Sequence, residues 1–256
     1  MLRRSVITLL SDFGPESIYV AELKGVLLGL ASESQIVDLS HSISPYNIAQ
    51  AERFLRRSAF LYPRGSVHLV VVDPGVGSAR KGLALCVQGH YFVGPDNGVL
   101  SHFAQMDGAK MVELNRPEFF RKPVAPTFHG RDIFAPVAAR LATGMLLESL
   151  GSPLQEVESL PRQGPREEGK SIKGDVVDVD HFGNLATNIP AVLAPESADV
   201  RVGSHKAQWV TCYSEGPANT LLALQGSDGF VELALKEGSA AEFLGYPEVG
   251  EVSICK

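Results

Sequence analysis

Four short polar clusters in this 256-residue chain carry side chains able to do chemistry. The first, Ser11-Asp12-Phe13-Gly14, follows the β-branched run Val6–Leu10. A carboxylate at the end of a first strand can accept both hydrogens of a ribose diol; equally, it can cap a turn or the following helix. In the second, Asp73-Pro74-Gly75-Val76-Gly77-Ser78-Ala79-Arg80, a carboxylate precedes a guanidinium across a glycine-bearing loop. The loop lacks the Gly-Lys-Ser/Thr of a phosphate-binding loop, and a turn with a surface arginine is the plain alternative. The third, Thr127-Phe128-His129-Gly130-Arg131-Asp132, holds a histidine, the side chain most readily used as acid or base near neutral pH. The alternative is a loop residue before a helix, with Arg131 and Asp132 paired to each other. The fourth runs from Asp180 to Asn188. There Phe182 and Asn184 could stack on and hydrogen-bond a heterocycle, or simply form a hairpin turn.

The elements that must position these groups alternate in type up to about residue 150. Val6–Leu10, Ile36–Leu39 and Val67–Val72 read as strands, the last apolar except for His68 and so buried on both faces. Ile18–Ala31, Asn47–Phe60 and Ile133–Leu141 have helical spacing, and Leu83–Val87 with Tyr91–Val93 flank a hairpin turn. Strand–helix alternation predicts an α/β layer fold with a largely parallel sheet. Ligand sites in such sheets lie at the carboxyl ends of strands, where Asp12 and Asp73 fall. Composition changes between about 151 and 172, becoming rich in Pro, Gly and charge, and 161–172 reads as a linker. Beyond it come short strand-like runs with one helical stretch, Ala240–Leu244. The expected domains are 1–160, a larger α/β unit with a mostly parallel central sheet, and 173–256, a small β-rich barrel or sandwich.

Composition narrows the function classes. With 23 Lys+Arg against 29 Asp+Glu the formal charge is −6, without the basic face of a nucleic-acid binder. Three scattered cysteines, Cys86, Cys212 and Cys255, give neither a disulfide framework nor metal spacing, and predict a reducing, cytoplasmic setting. Val6–Leu10 is too short for a signal h-region or a membrane span. The seven histidines form no closely spaced ligand pair, so no metal is expected. No Gly-x-Ser-x-Gly elbow suggests a covalent hydrolase.

Taken in order, the clusters resemble the S-adenosyl-L-methionine hydroxide adenosyltransferases, adenosine-forming hydrolases related to fluorinating and chlorinating enzymes. The matching pieces are SDFG (11–14), KGV (24–26), VDLSHSISPYNI (37–48), VVDPGVGSAR (71–80), VGPDNGVLS (93–101) and TFHGRDIFAPVAA (127–139). DHFGNLATNI (180–189), GSDGFVELAL (226–235) and SAAEFLG (239–245) complete the series. The resemblance implies a larger α/β domain followed by a β-barrel-like domain. It also implies a homotrimer with sites between subunits, and hydrolysis of S-adenosyl-L-methionine to adenosine and L-methionine without a cofactor.

The same resemblance assigns roles. Asp73, Arg80 and His129 would hold the attacking water or hydroxide. Asp12 would bind the ribose hydroxyls, with Tyr46 beside the ribose. Phe182 and Asn184 would contact adenine, joined by backbone near Ala240 and by Tyr213. Asp180 and Ser227 would meet the methionine amine and carboxylate. After SDFG, where the family carries an Asp, this chain has Pro15-Glu16-Ser17, so Glu16 or Ser17 would serve; Asp228 and Ser239 also differ from the usual pattern. Halogenating relatives lack an acid at the position of Asp73, where a carboxylate would repel the halide. The competing expectations are a halide adenosyltransferase and a non-catalytic binder of S-adenosyl-L-methionine or adenosine.

Overall fold

The computed structural model describes residues 5–161, 164–169, 171–194, 198–247 and 250–255. The chain divides into two compact units, Met1–Leu160 and Pro161–Lys256.

The first unit is built in the order β1 (Val6–Ser11), α1 (Ile18–Leu30), β2 (Gln35–Ser40), α2 (Ile48–Ser58), β3 (Val67–Val71), β4 (Gly82–Val87) and β5 (His90–Pro95). It continues with α3 (Ser101–Ala104), β6 (Lys110–Glu113), α4 (Ala135–Ala142) and β7 (Ser152–Pro153). These strands form one seven-stranded sheet in the order β2-β1-β3-β5-β4-β6-β7. β2, β1, β3 and β5 run parallel to one another, and from β5 onward the pairings β5–β4, β4–β6 and β6–β7 are antiparallel. This is the expected α/β layer fold with its parallel centre. The sheet is covered on both faces. One apolar cluster joins Ile7, Leu9, Leu69 and Val93 to Leu23, Leu27, Val137 and Ala138. The other joins Leu10, Val70, Leu85 and Phe92 to Ala51, Leu55 and Phe103. Two-sided cover is why β3 reads as an almost unbroken apolar run.

His68, the exception in that run, is 0% exposed. Its Nδ1 lies 2.8 Å from Thr8 Oγ1 and its Nε2 lies 3.2 Å from His90 Nδ1, so both ring nitrogens find partners inside the sheet. Burial, with the neighbouring His90, pushes its pKa down to about 3.

The expected helix at Ile133–Leu141 differs at its start. Gly130–Phe134 winds as a π-helix before α4 begins, and such wide turns recur at functional sites. This one opens directly after His129.

The second unit comprises β8 (Arg166–Glu168), β9 (Ser171–Val179), β10 (Leu185–Pro190), β11 (Asp199–Val202), β12 (His205–Trp209), β13 (Leu221–Gln225), β14 (Phe230–Leu235), α5 (Ala240–Leu244) and β15 (Glu251–Cys255). Their order is β10-β14-β13-β12-β11-β15-β9-β8, and a further β10–β9 pairing closes seven of the strands into a barrel. Among the described residues of this unit, β12–β13 is the one parallel pairing. Alternation explains the closure: Ile172 on β9, Leu185 and Ile189 on β10, Val200 and Val202 on β11, and Val252 and Ile254 on β15 all turn into one core. The expected linker at 161–172 departs from this picture in part. Arg166–Glu168 forms β8 and pairs antiparallel with the start of β9 at Ser171–Lys173. Three charged residues conceal that strand, because an outermost strand buries neither face and needs no alternation.

Candidate active site

The carboxyl ends of β1 and β3 adjoin, since the two strands pair in parallel with Ser11 beside Val71. The loops leaving them therefore share one mouth. A cavity of ≈ 460 Å³ opens there, lined by Asp12, Phe13, Tyr19, Pro45, Tyr46, Val71, Asp73, Val76, Thr127, Phe128, His129 and Gly130. Four residues expected from the sequence, Asp12, Tyr46, Asp73 and His129, line this single hollow.

Asp73 sits where β3 ends in a turn, with Val76 N donating to Asp73 O. Arg80 returns across the loop and grips the carboxylate with two prongs: Nε to Oδ1 at 3.0 Å and Nη2 to Oδ2 at 2.5 Å. The same Nη2 reaches His129 Nδ1 at 3.1 Å. Both charged side chains are nearly buried, and the guanidinium also lies 5.2 Å from the Phe134 ring centre. Its Nη1 donates to Lys81 O. Burial raises the Asp73 pKa, against opposing pulls from Arg80 and His129. Burial and the Arg80 charge together lower that of His129.

The tautomer of His129 follows from its partner. A guanidinium has donors only, so Nδ1 accepts, and in the neutral ring Nε2 carries the hydrogen. Gly77 lets the two loops meet. It adopts φ +79°, and a Cβ there would stand 2.6 Å from Pro126 O. The loop of Asp73 and Arg80 is thus pressed against the loop bearing Thr127, Phe128 and His129.

On the other wall, Asp12 Oδ2 accepts from Tyr46 N at 2.9 Å, holding Tyr46 in a left-handed conformation at φ 65°. Oδ1 has no such backbone donor among the described residues. Ser17 Oγ caps α1, accepting from Tyr19 N at 3.3 Å, and Ser17 is not part of the cavity lining. Three aromatic rings, Phe13, Tyr19 and Phe128, meet edge to face with centres 5.2–5.8 Å apart. Phe13 and Phe128 stand inside the quoted motifs but as apolar residues gave no chemical signal, and Tyr19 reads as an ordinary position of α1.

The remaining expected residues belong to the second unit. Asp180 organises its own turn: Oδ1 accepts from Phe182 N and Asn184 N, and Oδ2 from Asn184 Nδ2, at 2.8–2.9 Å. This turn leaves Phe182 75% exposed. Gly183 O accepts from Ala241 N, which ties the turn to α5 beside Ala240, itself fully buried. Tyr213 donates to Glu232 Oε1. Burial, that bond and the charges of Glu232 and Asp180 push its pKa up to about 12. Ser227 stands in the β13–β14 turn, where Gly229 N donates to Gly226 O, and Asp228 Oδ1 accepts from Phe230 N at 3.3 Å. Glu232 escaped the sequence reading because it alternates within a strand like any outward polar residue.

Among the described residues, no group of three or more His, Cys, Asp or Glu side chains is placed to hold a metal ion. Among the described residues no helix is long and apolar enough to cross a membrane.

The chain matches the SAM hydroxide adenosyltransferase N-terminal domain over residues 7–151 and the corresponding C-terminal domain over 174–253. An (R)-S-adenosyl-L-methionine hydrolase of Thermus thermophilus is 39% identical over 247 residues, 93% of this chain and 95% of that protein. A fluorinase of Nocardia brasiliensis is more distant, 28% identical over 73% of this chain and 72% of its own. In three dimensions the chain is similar to an uncharacterised conserved protein of Thermotoga maritima. The TM-score is 0.90 at 38% identity, over 98% of this chain and all of the other.

Proposed function

This chain belongs to the SAM hydroxide adenosyltransferase family, and from that premise we propose how its residues act. It is an S-adenosyl-L-methionine hydrolase that releases adenosine and L-methionine. The observation that carries the mechanism is the partly buried contact set of Asp73, Arg80 and His129 at the rim of a cavity that also holds Asp12.

The sulfonium makes C5′ electrophilic, and methionine leaves as a neutral thioether, so departure needs no general acid. A water oxygen forms the new bond to C5′ in line with the breaking C5′–S bond, whose electron pair returns to sulfur. One proton is released overall. Of the three groups only Asp73 can take it: Arg80 has no lone pair to offer, and the His129 nitrogen able to accept is occupied by Arg80. A carboxylate raised by burial is a stronger base than an ordinary one. His129 Nε2–H then donates to the water oxygen and fixes its direction. Positioning and exclusion of bulk water supply the rest of the rate. The aromatic rings of Phe13, Tyr19 and Phe128 suit a sulfonium cation, since ring faces attract positive charge.

Asp12 takes the ribose diol, with Tyr46 alongside. Phe182 and Asn184 contact adenine with backbone near Ala240 and with Tyr213, and Asp180 and Ser227 receive the amino-acid end. The enzyme works as a homotrimer with each site shared between neighbouring subunits. The division of the candidate residues between two units supports this. It needs no cofactor or metal and engages neither nucleic acid nor membrane. Its cysteines are unpaired, which suits the cytoplasm.

Purified protein incubated with both sulfonium epimers of S-adenosyl-L-methionine, with and without chloride or fluoride, tests the activity by chromatography of the products. Adenosine under every condition is expected. A 5′-halonucleoside would make the chain a halide transferase, and unchanged substrate would leave only binding.

A further inference from the structure

Three of the quoted motifs together contribute four residues that the proposed reaction does not use: Ser11 beside the ribose acid, Lys24, and the pair Asp38 and His41. The structure joins them into one chain of contacts. Ser11 Oγ lies 2.8 Å from His41 Nδ1, with both side chains buried. His41 Nε2 lies 3.1 Å from Asp38 Oδ1, and Lys24 Nζ donates to Asp38 Oδ2 at 2.6 Å.

The chain has a direction. Phe13 N donates to Ser11 Oγ at 3.4 Å, which leaves the Ser11 hydroxyl hydrogen available to a His41 Nδ1 that carries none. An ionised carboxylate only accepts, so the hydrogen of the neutral His41 ring belongs on Nε2. There it is in electrostatic contact with Asp38 Oδ1 rather than in a well-formed hydrogen bond. Nδ1 then accepts from Ser11, and Lys24 anchors Asp38. The bond from Phe13 N to Ser11 Oγ spans Asp12, and a local side-chain bond of this kind restricts the backbone of the residue it bridges. Two more bonds zip the same segments together: Gly14 N to His41 O at 2.8 Å and Ile43 N to Ser11 O at 3.4 Å. This bracketing holds the backbone on both sides of Asp12, whose carboxylate in turn accepts from Tyr46 N.

We propose that Ser11, His41 and Asp38 form a positioning relay that fixes Asp12 for the ribose diol, and so governs selection of a ribonucleoside over its deoxy forms. This rests on the proposed reading of Asp12. Ser11 is not a nucleophile in this arrangement: it is 1% exposed and lies outside the cavity lining.

The test titrates adenosine and 2′,3′-dideoxyadenosine by calorimetry into wild type, Ser11→Ala, His41→Leu and His41→Asn, with kinetics on the sulfonium substrate in parallel. Wild type is expected to prefer adenosine at least tenfold. Ser11→Ala and His41→Leu should lose at least fivefold of that preference, with dideoxyadenosine affinity unchanged within twofold. In both, KM should rise at least fivefold while kcat stays within threefold. His41→Asn, whose side-chain oxygen can still accept from Ser11, should recover most of the preference. Wild-type discrimination in Ser11→Ala and His41→Leu, or equal loss of both nucleosides, would overturn the relay alone. Failure of wild type to bind either nucleoside or to turn over substrate would overturn the functional reading along with it.

Discussion

Arg80 grips Asp73 through two nitrogens and spends one of them a second time on His129. One side chain thus settles three things: where the carboxylate points, which histidine nitrogen carries hydrogen, and how the buried negative charge is balanced. The fork matters as much as the charge, because a lysine ammonium is a point charge that cannot make two parallel bonds in a fixed plane.

Replacing Arg80 therefore costs both rate and stability. Arg80→Ala leaves a carboxylate that is only 5% exposed without its partner, a type of loss worth about 3–5 kcal/mol. Arg80→Lys is expected to be milder in denaturant unfolding yet still to lower kcat by at least tenfold. Wild-type kcat in Arg80→Lys would show that charge alone suffices.

The pH profile follows from the same contacts. Catalysis needs Asp73 ionised, and burial raises its pKa above the ordinary carboxylate value of 3.8. Activity is therefore lost as pH falls through that raised value. His129 is displaced downward, so it stays neutral on the plateau, and protonating it removes the acceptor for Arg80 on the same acid side. The profile of kcat/KM should show an acid limb and no basic limb from these groups up to about pH 9. In Arg80→Gln the limb should move to higher pH, because a pull that lowers the Asp73 pKa is gone. An unmoved limb would assign it to another group.

His68 predicts acid sensitivity of the fold. Its pKa is about 3 in the folded chain against about 6.5 when unfolded. Above 6.5 neither state binds the proton. As pH falls below 6.5 the unfolded chain takes it up first, and stability declines by about 1.4 kcal/mol per pH unit until about pH 3. Denaturant midpoints from pH 7 to 4 should fall less steeply in His68→Gln than in wild type. Equal slopes would place the acid sensitivity elsewhere.

The sequence announced the α/β layer fold and the strand-end carboxylates, because both follow from local patterns: β3 is apolar but for His68 and ends two residues before Asp73, and β1 ends just before Asp12. It could not announce what depends on distant pairing. His68 looked like a polar interruption until Thr8 and His90 met it across the sheet. Glu16 or Ser17 is the expected contact for the amino-acid end of the substrate; a serine before an apolar helical run is also an ordinary cap, and Ser17 Oγ caps α1. The aromatic wall of Phe13, Tyr19 and Phe128 draws on two segments more than a hundred residues apart. The π-turn at Gly130–Phe134 carries no compositional mark at all, and the charged strand Arg166–Glu168 resembled a linker because a solvent-facing edge needs no apolar face.

Oxygen-18 labelling tests the central claim most directly. Wild-type protein and Asp73→Asn are each given S-adenosyl-L-methionine in ¹⁸O-enriched water, and both products are weighed by mass spectrometry. One labelled oxygen is expected in adenosine and none in methionine, with Asp73→Asn producing labelled adenosine at least 100-fold more slowly while its substrate affinity stays within a few fold. Unlabelled adenosine, label in methionine, or wild-type rates from Asp73→Asn would contradict a water held and deprotonated by Asp73.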